Sequence, residues 1–187
     1  MKAGWFEKFG AAEDVIHVGE QPKPTVGVGQ VLVKLAASGV NPSDVKKRAG
    51  AFPHLLENGL VIPHSDGAGT VEAVGKGVSA SRVGQRVWVY QAQYGRLLGT
   101  AAEYISLAAN RAVALPDNKD FSIGACLGIS AMTAHRSGHA DGVVMGKTLL
   151  VTGVAGLGGT YEIQWSRMVG DTGSTPTSTV VDQALCV

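Results

Sequence analysis

A glycine-rich turn is the segment of this sequence best suited to hold a phosphate group. Residues 147–152 are typical of a buried strand, residues 153–159 (GVAGLGG) follow directly, and residues 160–169 predict a helix. A backbone without Cβ atoms can approach a pyrophosphate closely, and the next helix N-terminus offers free N–H groups and a partial positive charge. The spacing departs from G-x-G-x-x-G, so a purely structural turn stays an alternative until its strand–turn–helix context is confirmed.

A compact polar group follows a predicted strand end at Asn41, Ser43 and Asp44. These side chains could contact a ligand, because loops that follow strands commonly carry binding residues. Asp44 is also placed to cap a helix over residues 45–48, and the spacing alone favours this capping role.

A second polar group contains His64 and Asp66. His64 has no second histidine or cysteine at ligand spacing, which argues against a metal site. Asp66 is expected to order its own loop. Further along the sequence lie Tyr90, Gln91, Gln93 and Tyr94. They could line an aromatic pocket, and an ordinary exposed loop would account for them equally well.

Charge and composition exclude several classes of partner. The 187 residues carry 16 basic and 15 acidic side chains, a net charge of +1, without a basic block that would attract nucleic acid or an anionic membrane. No run reaches the roughly 20 apolar residues of a membrane span, and the N-terminus lacks a signal-peptide pattern, so a cytoplasmic protein is expected. Cys126 and Cys186 form neither a disulfide framework nor a zinc cluster, and Cys126 is expected to be a small buried apolar side chain.

The hydrophobic pattern changes once along the sequence. Short strands separated by turn signals are predicted at 30–38, 69–75, 86–90 and 101–107, as in a barrel or sandwich. Residues 121–139 are mostly helical, with a break at Gly128. We therefore predict a first domain at residues 1–120 and the start of a second domain at residues 121–170. Residues 171–187 are predicted to be a polar, disordered tail without another good parallel strand.

Several ordered segments together resemble one family. They are GVNPSDVK (39–46), IPHSDGAGTV (62–71), GQRVW (84–88), GTAAEY (99–104) and ACLGISAMTAHR (125–136). They resemble the zinc-free, zeta-crystallin-like quinone oxidoreductases, a branch of the medium-chain dehydrogenase/reductase family, and the match runs from the N-terminus to about residue 170. The resemblance implies an α/β protein with a β-rich GroES-like barrel followed by a Rossmann, or doubly wound, domain.

The same resemblance implies a function and a set of site residues. Members transfer hydride from NADPH, held between the two domains, to a quinone or enone, and full-length relatives are expected to form homodimers. Zinc-dependent relatives have a cysteine where this sequence has Asn41 and a histidine where it has Ser65, so no metal is expected. Asn41 and Thr133 would face the nicotinamide and the quinone. The pyrophosphate would be held by Gly153, Gly156, Leu157, Gly158 and Gly159.

The family pattern is lost at about Asp171. A charged residue that reads the ribose is expected about 20 residues beyond the glycine turn, yet no lysine or arginine follows Arg167. The Rossmann domain is therefore predicted to be incomplete, with a truncation on its C-terminal side. The alternative to an NADPH-dependent reductase is a non-catalytic GroES-like module that neither binds NADPH tightly nor turns over.

Overall fold

A computed structural model of the protein describes residues 1–140, 142, 148–151, 156–168 and 172–174. Residue contacts divide the chain into two compact units, Met1–Ile129 and Ser130–Val187. The sequence places the corresponding boundary a little earlier, between residues 120 and 121.

The first unit consists mainly of short strands. Strands predicted around residues 30, 69, 86 and 101 are all present, with ends that differ by a few residues. The elements are β1 (Lys2–Trp5), α1 (Ala12–Val15), β2 (His17–Glu20), β3 (Gln30–Gly39), α2 (Pro42–Arg48), β4 (Asp66–Val74), β5 (Arg86–Val89), β6 (Tyr104–Ala108), β7 (Ala112–Ala114) and α3 (Phe121–Gly124). Short 3₁₀ turns lie at Pro53–Leu56, Ala80–Arg82 and Ala109–Arg111.

An antiparallel sheet of order β6-β3-β4-β5-β7 forms the centre of this unit, and β1 pairs with β2 separately. The mixed α/β prediction is confirmed, but the expected closed barrel is not formed by the described residues. The edge strands β6 and β7 are joined by a 3₁₀ turn and do not pair with each other. Since β7 has only three residues, it offers too short a ladder to close the sheet.

Alternating residues of the sheet form the main core. One face of the strands carries side chains that are at most 2% exposed, as period-2 alternation requires. They are Val31, Val33, Val71, Val87, Val89, Ile105 and Leu107. Burying each of these side chains stabilises the fold by roughly 1.5–3 kcal/mol, so this core fixes the sheet that carries the polar groups at its end.

The register of β3 with β4 brings the two polar groups together. Gly39 lies opposite Asp66, and Ser38 lies opposite Gly67. The loop that follows β3 therefore begins beside the first residue of β4. Residues that are distant in sequence become neighbours at this end of the sheet.

The break predicted at Gly128 is a π-helical turn over Leu127–Ala131, which leads into α4 (Met132–His139). The second unit then contains β8 (Thr148–Leu150), α5 (Leu157–Met168) and β9 (Thr172–Ser174). Within it, α4 and α5 meet where the His135 ring lies edge-on to the Trp165 ring, with centroids 5.3 Å apart. None of the helices in the described ranges has the length and apolarity needed to cross a lipid bilayer.

Within the tail that was predicted to be disordered and without a good parallel strand, the structure has one short strand of three residues. Strand β9 pairs in parallel with β8, with Thr148 opposite Thr172 and Leu150 opposite Ser174. Backbone hydrogen bonding does not need an apolar pattern, and the free edge of β8 offers N–H and C=O groups to any extended neighbour. The disorder predicted for residue 171 and for 175–187 lies outside the described residues, as does Gly153.

Candidate functional site

A buried carboxylate, Asp66, connects the end of β3 with the π-helical turn. Its Oδ2 accepts a hydrogen bond from Asn41 Nδ2 at 2.8 Å and another from the Ile129 N–H at 2.8 Å. Asn41 and Asp66 are only 5% and 1% exposed. The Asp66 side chain, which was expected to order its own loop, instead holds Asn41 and the backbone at Ile129.

Asp44 takes part in helix capping as predicted, but as the third residue of α2 and not as the residue that precedes the helix. Its Oδ2 accepts a hydrogen bond from the Asn41 N–H at 2.8 Å, and its own N–H donates to the Asn41 carbonyl at 2.9 Å. Pro42 begins α2, where a missing N–H costs nothing. The Asn41 backbone is thus fixed by Asp44 while its carboxamide is fixed by Asp66.

Burial raises the pKa of the Asp66 carboxyl above its ordinary value of 3.8, although the N–H groups of Ile129 and Asn41 act to lower it. Within the described part of the protein its Oδ1 has no hydrogen-bond partner. Gly128 lies directly against that oxygen, because a Cβ at this residue would stand 2.0 Å from Oδ1. The carboxyl group is therefore enclosed on its unpaired side by backbone.

This raised pKa predicts a pH-dependent difference in stability between the wild type and Asp66→Asn. The folded state keeps the Asp66 proton above pH 3.8 while the unfolded state has lost it. The contribution of Asp66 to the free energy of unfolding is therefore largest when the pH is below the pKa of this carboxyl in the unfolded state. It decreases as the pH rises through the pKa of the carboxyl in the folded state. We expect the stability of the wild type relative to Asp66→Asn to decrease in that range in urea titrations.

The exposed Asp14 offers a matched control, because Asp14→Asn removes a carboxylate from the surface helix α1. Its difference from the wild type should not show the same fall. A difference between the wild type and Asp66→Asn that stays constant across the acidic range would contradict the assignment.

A series of hydroxyl groups lies beside Asp66. Ser38 Oγ is 2.9 Å from both His64 Nδ1 and Thr100 Oγ1, and Thr100 Oγ1 donates to the Asp66 carbonyl at 2.5 Å. His64 has a left-handed backbone, with φ of 75°, and burial lowers the pKa of its imidazole. His64 therefore belongs to a hydroxyl network at the end of β3.

An open groove of about 810 Å³ lies next to this polar cluster. Ser43 and Lys47, one helical turn apart on α2, form part of one side. Lys47 Nζ donates to Gln93 Oε1 at 2.8 Å, and Gln93 Nε2 donates to the Ile62 carbonyl at 3.2 Å. The other lining residues are Phe52, His54, Leu55, Asn58, Ser65, Gln91, Tyr94, Gly95, Arg96, Leu97 and Ile129.

The predicted pocket residues divide between this groove and the surface. Gln91, Gln93 and Tyr94 line the groove, whereas the Tyr90 hydroxyl donates to the Asn110 carbonyl at 3.3 Å. Sequence reasoning did not single out Lys47 or Arg96. The available signal for Lys47 was its i+4 spacing from Ser43, which places both on one side of a helix.

The residues predicted to hold the pyrophosphate, together with Thr133, belong to the second unit, whereas Asn41 belongs to the first. Gly156 is exposed and precedes α5, whose Thr160 N–H donates to the Gly156 carbonyl at 3.1 Å. Leu157 begins the helix, and Gly158 and Gly159 lie in its first turn. A Cβ at Gly158 would meet none of the described residues within 4 Å. Thr133 is exposed on α4.

Comparison with known proteins identifies the first unit. Residues 27–117 match the family model of the alcohol dehydrogenase GroES-like domain. These residues form an alcohol dehydrogenase GroES-like domain. This assignment agrees with the predicted membership of the medium-chain dehydrogenases/reductases.

Relatives of the GroES-like chain include oxidoreductases. The human quinone oxidoreductase is 38% identical over 173 residues, which cover 91% of this chain and 50% of that protein. The alcohol dehydrogenase of Geobacillus stearothermophilus is 30% identical over 193 residues, covering 91% of this chain and 56% of that protein. The predicted resemblance to quinone oxidoreductases is confirmed, and the chain spans about half the length of the curated relatives it matches.

A solved structure supports the same assignment. A mycobacterial protein in complex with NADPH superposes with a TM-score of 0.85 and 31% identity, covering 100% of this chain and 56% of that protein. The two units described above thus have counterparts in an NADPH-bound relative.

The part of the chain that the structure describes has few groups that could hold a metal. Among its described residues, no three His, Cys, Asp or Glu side chains gather in one place. The Asn41 amide nitrogen is engaged with Asp66, and amide and hydroxyl groups are poor zinc ligands. A protein without bound metal therefore stays the prediction.

Proposed function

We propose that this chain provides the substrate-binding part and the first cofactor-binding turn of an NADPH-dependent quinone or enone oxidoreductase. When bound, NADPH supplies a hydride, and the quinone gains that hydride and one proton to become a hydroquinone. The proposal rests on the similarity to quinone oxidoreductases and on the polar cluster beside the groove.

The observation that carries this proposal is the immobilised carboxamide of Asn41. It is buried, it is held through Asp66, and it lies on the loop that enters α2, which forms one side of the groove. A rigid amide can hold the reacting groups in near-attack geometry without losing side-chain entropy on binding. We assign Asn41, together with Thr133 of the second unit, to the nicotinamide and the quinone.

The groove is suited to a flat, conjugated carbonyl compound. Phe52, Leu55 and Leu97 provide apolar contact, and Lys47 has ammonium protons beyond the one donated to Gln93. The Ser43 hydroxyl has no hydrogen-bond partner among the described residues. These donors could stabilise the negative charge that develops on a carbonyl oxygen during reduction.

The start of α5 is suited to a pyrophosphate. Gly156, Gly158 and Gly159 would present backbone N–H groups, and the helix N-terminus would contribute a partial positive charge. Gly153 and Leu157 complete the assigned set. These residues would bind and orient NADPH through its phosphates.

A non-catalytic GroES-like module is the second candidate. It is favoured by one observation, because the described part of the second unit contains only the β8–β9 pair, α4 and α5. Titration of the protein with NADPH, monitored by tryptophan fluorescence, distinguishes the oxidoreductase from the non-catalytic module. Trp165 lies on α5 and provides a local signal.

A chimera tests the proposed function. Residues 1–151 of this protein are joined to the corresponding C-terminal half of the human quinone oxidoreductase. We expect NADPH-dependent quinone reduction, and we expect Asn41→Leu to lower kcat/KM by about 10–100-fold, because a small misplacement of reacting groups is costly. Steady-state kinetics measure both results.

Lys46→Met is the matched control in the chimera, because Lys46 is exposed on α2 and does not line the groove. It should leave kcat/KM unchanged. A folded chimera that binds NADPH but reduces neither quinones nor enones above the uncatalysed rate would show that the proposed function is wrong.

A further inference from the structure

The charged side chains that line the groove are basic. Its lining contains the cations Lys47 and Arg96 and the imidazole of His54, and none of its lining residues is an aspartate or a glutamate. The nearest carboxylate in sequence to His54, Glu57, is paired with that histidine at 2.5 Å. A ligand in this groove therefore meets positive charge without a compensating acid in the wall.

Arg96 has an unusual environment for a cation. Burial lowers the pKa of its guanidinium, and the charge of Arg111 lowers it further. Within the described ranges no acidic side chain forms an ion pair with Arg96. A partly desolvated guanidinium without an acidic partner is unfavourable, and an anion bound beside it would relieve that cost.

Lys47 provides a second positive charge in the groove wall. Burial lowers the pKa of its ammonium, and Asp44 and Asp66 partly offset this effect. Both carboxylates already accept other hydrogen bonds, since Asp44 caps α2 and Asp66 binds Asn41 and Ile129. The Lys47 ammonium itself donates to Gln93, whose amide oxygen is neutral. Its remaining donors are available to a ligand.

We propose that the groove selects conjugated carbonyl compounds that carry an anionic substituent, a carboxylate or a sulfonate. The anion would lie against Arg96, with Lys47 as a second donor, and the ring would lie against Phe52, Leu55 and Leu97. Arginine offers a planar fork of donors that matches the geometry of such oxyanions. This inference rests on the proposed function and specifies the substrate class of the same site.

Binding without NADPH tests this inference apart from catalysis. Isothermal titration calorimetry of the whole 187-residue protein compares anthraquinone-2-sulfonate with the neutral anthraquinone-2-sulfonamide, which has nearly the same shape. We expect the sulfonate to bind about tenfold more tightly, as a charge-assisted contact should allow. Arg96→Gln should remove most of that preference, and Lys47→Met should remove a smaller part.

Three controls make the result specific. Lys46→Met removes an exposed positive charge from the same helix and should leave the preference intact. Circular dichroism of each variant establishes that it is folded. Inorganic sulfate should compete weakly, because it lacks the ring that the apolar wall would contact.

The outcomes separate the inference from the proposed function. Equal affinity for the two quinones, binding of neither quinone, or a preference that survives Arg96→Gln would overturn the inference. Equally strong competition by sulfate would reduce the groove to a simple anion site and would overturn it too. The chimera described above tests hydride transfer independently, so either proposal can fail while the other stands.

Discussion

Gly128→Ala is expected to lower the free energy of unfolding by about 2–4 kcal/mol, because it combines overpacking with the loss of buried hydrogen bonds. The new Cβ would lie 2.0 Å from Asp66 Oδ1 and 2.4 Å from Asp66 Cγ. The carboxyl group would have to move, and its hydrogen bonds to Asn41 and Ile129 would be strained or broken. Urea denaturation followed by circular dichroism measures the change.

Gly138→Ala provides a control for which the expected change in the free energy of unfolding has the opposite sign. Gly138 lies in α4, and a Cβ there would meet nothing within 4 Å. Alanine should therefore stabilise the helix by about 0.4–1 kcal/mol, since it restricts the unfolded state and fits the folded one. The two variants differ from the wild type by the same added methyl group.

A local measurement links the loss of stability to Asp66. The Ile129 N–H donates to Asp66 Oδ2, so hydrogen exchange at this amide should become faster in Gly128→Ala and stay unchanged in Gly138→Ala. Gly128→Ala with the stability of the wild type would mean that the carboxyl group can shift at little cost. The enclosed environment described for Asp66 would then be wrong.

Local patterns were sufficient to predict most strands and the participation of Asp44 in helix capping. Residues 30–38 alternate only imperfectly, but they are rich in valine and leucine, which indicates a strand, and β3 forms there. Asp44 lies in the first turn of α2, where its side chain accepts a hydrogen bond from the Asn41 N–H, and this contact depends only on neighbouring residues. Such features are encoded within a few residues and are therefore accessible to sequence reasoning.

Features that depend on distant segments were not predictable in the same way. Arg96 reaches the groove because the segment after β5 passes beside the residue that precedes β4. There the Ala92 N–H donates to the Ser65 carbonyl at 2.9 Å. Lys47 contributes because Gln93, far along the sequence, accepts its hydrogen bond. Closure of the sheet likewise depends on which edge strands meet. These outcomes follow from long-range pairing, which no local pattern specifies.

The 187-residue protein is expected not to reduce quinones with NADPH at a rate typical of an enzyme. Hydride transfer needs the nicotinamide in near-attack geometry, and a small misplacement can cost about 100-fold. The first unit can supply Asn41 and the groove. On the cofactor side, the described residues include one parallel strand pair, α4 and α5, without the several neighbouring strands of a doubly wound sheet.

Cofactor binding by such a site would carry an ordering cost. The start of α5 could still offer N–H groups to a phosphate, but residues 168–187 contain no lysine or arginine that could contact a ribose phosphate. A binding surface that must be ordered by its ligand loses affinity in proportion to the groups it immobilises. A steady-state assay with NADPH and a simple benzoquinone, corrected for the non-enzymatic reaction, measures the result. Turnover above that background, abolished by Gly156→Asp, would contradict this expectation, because it would show that the turn before α5 already holds NADPH productively in this protein.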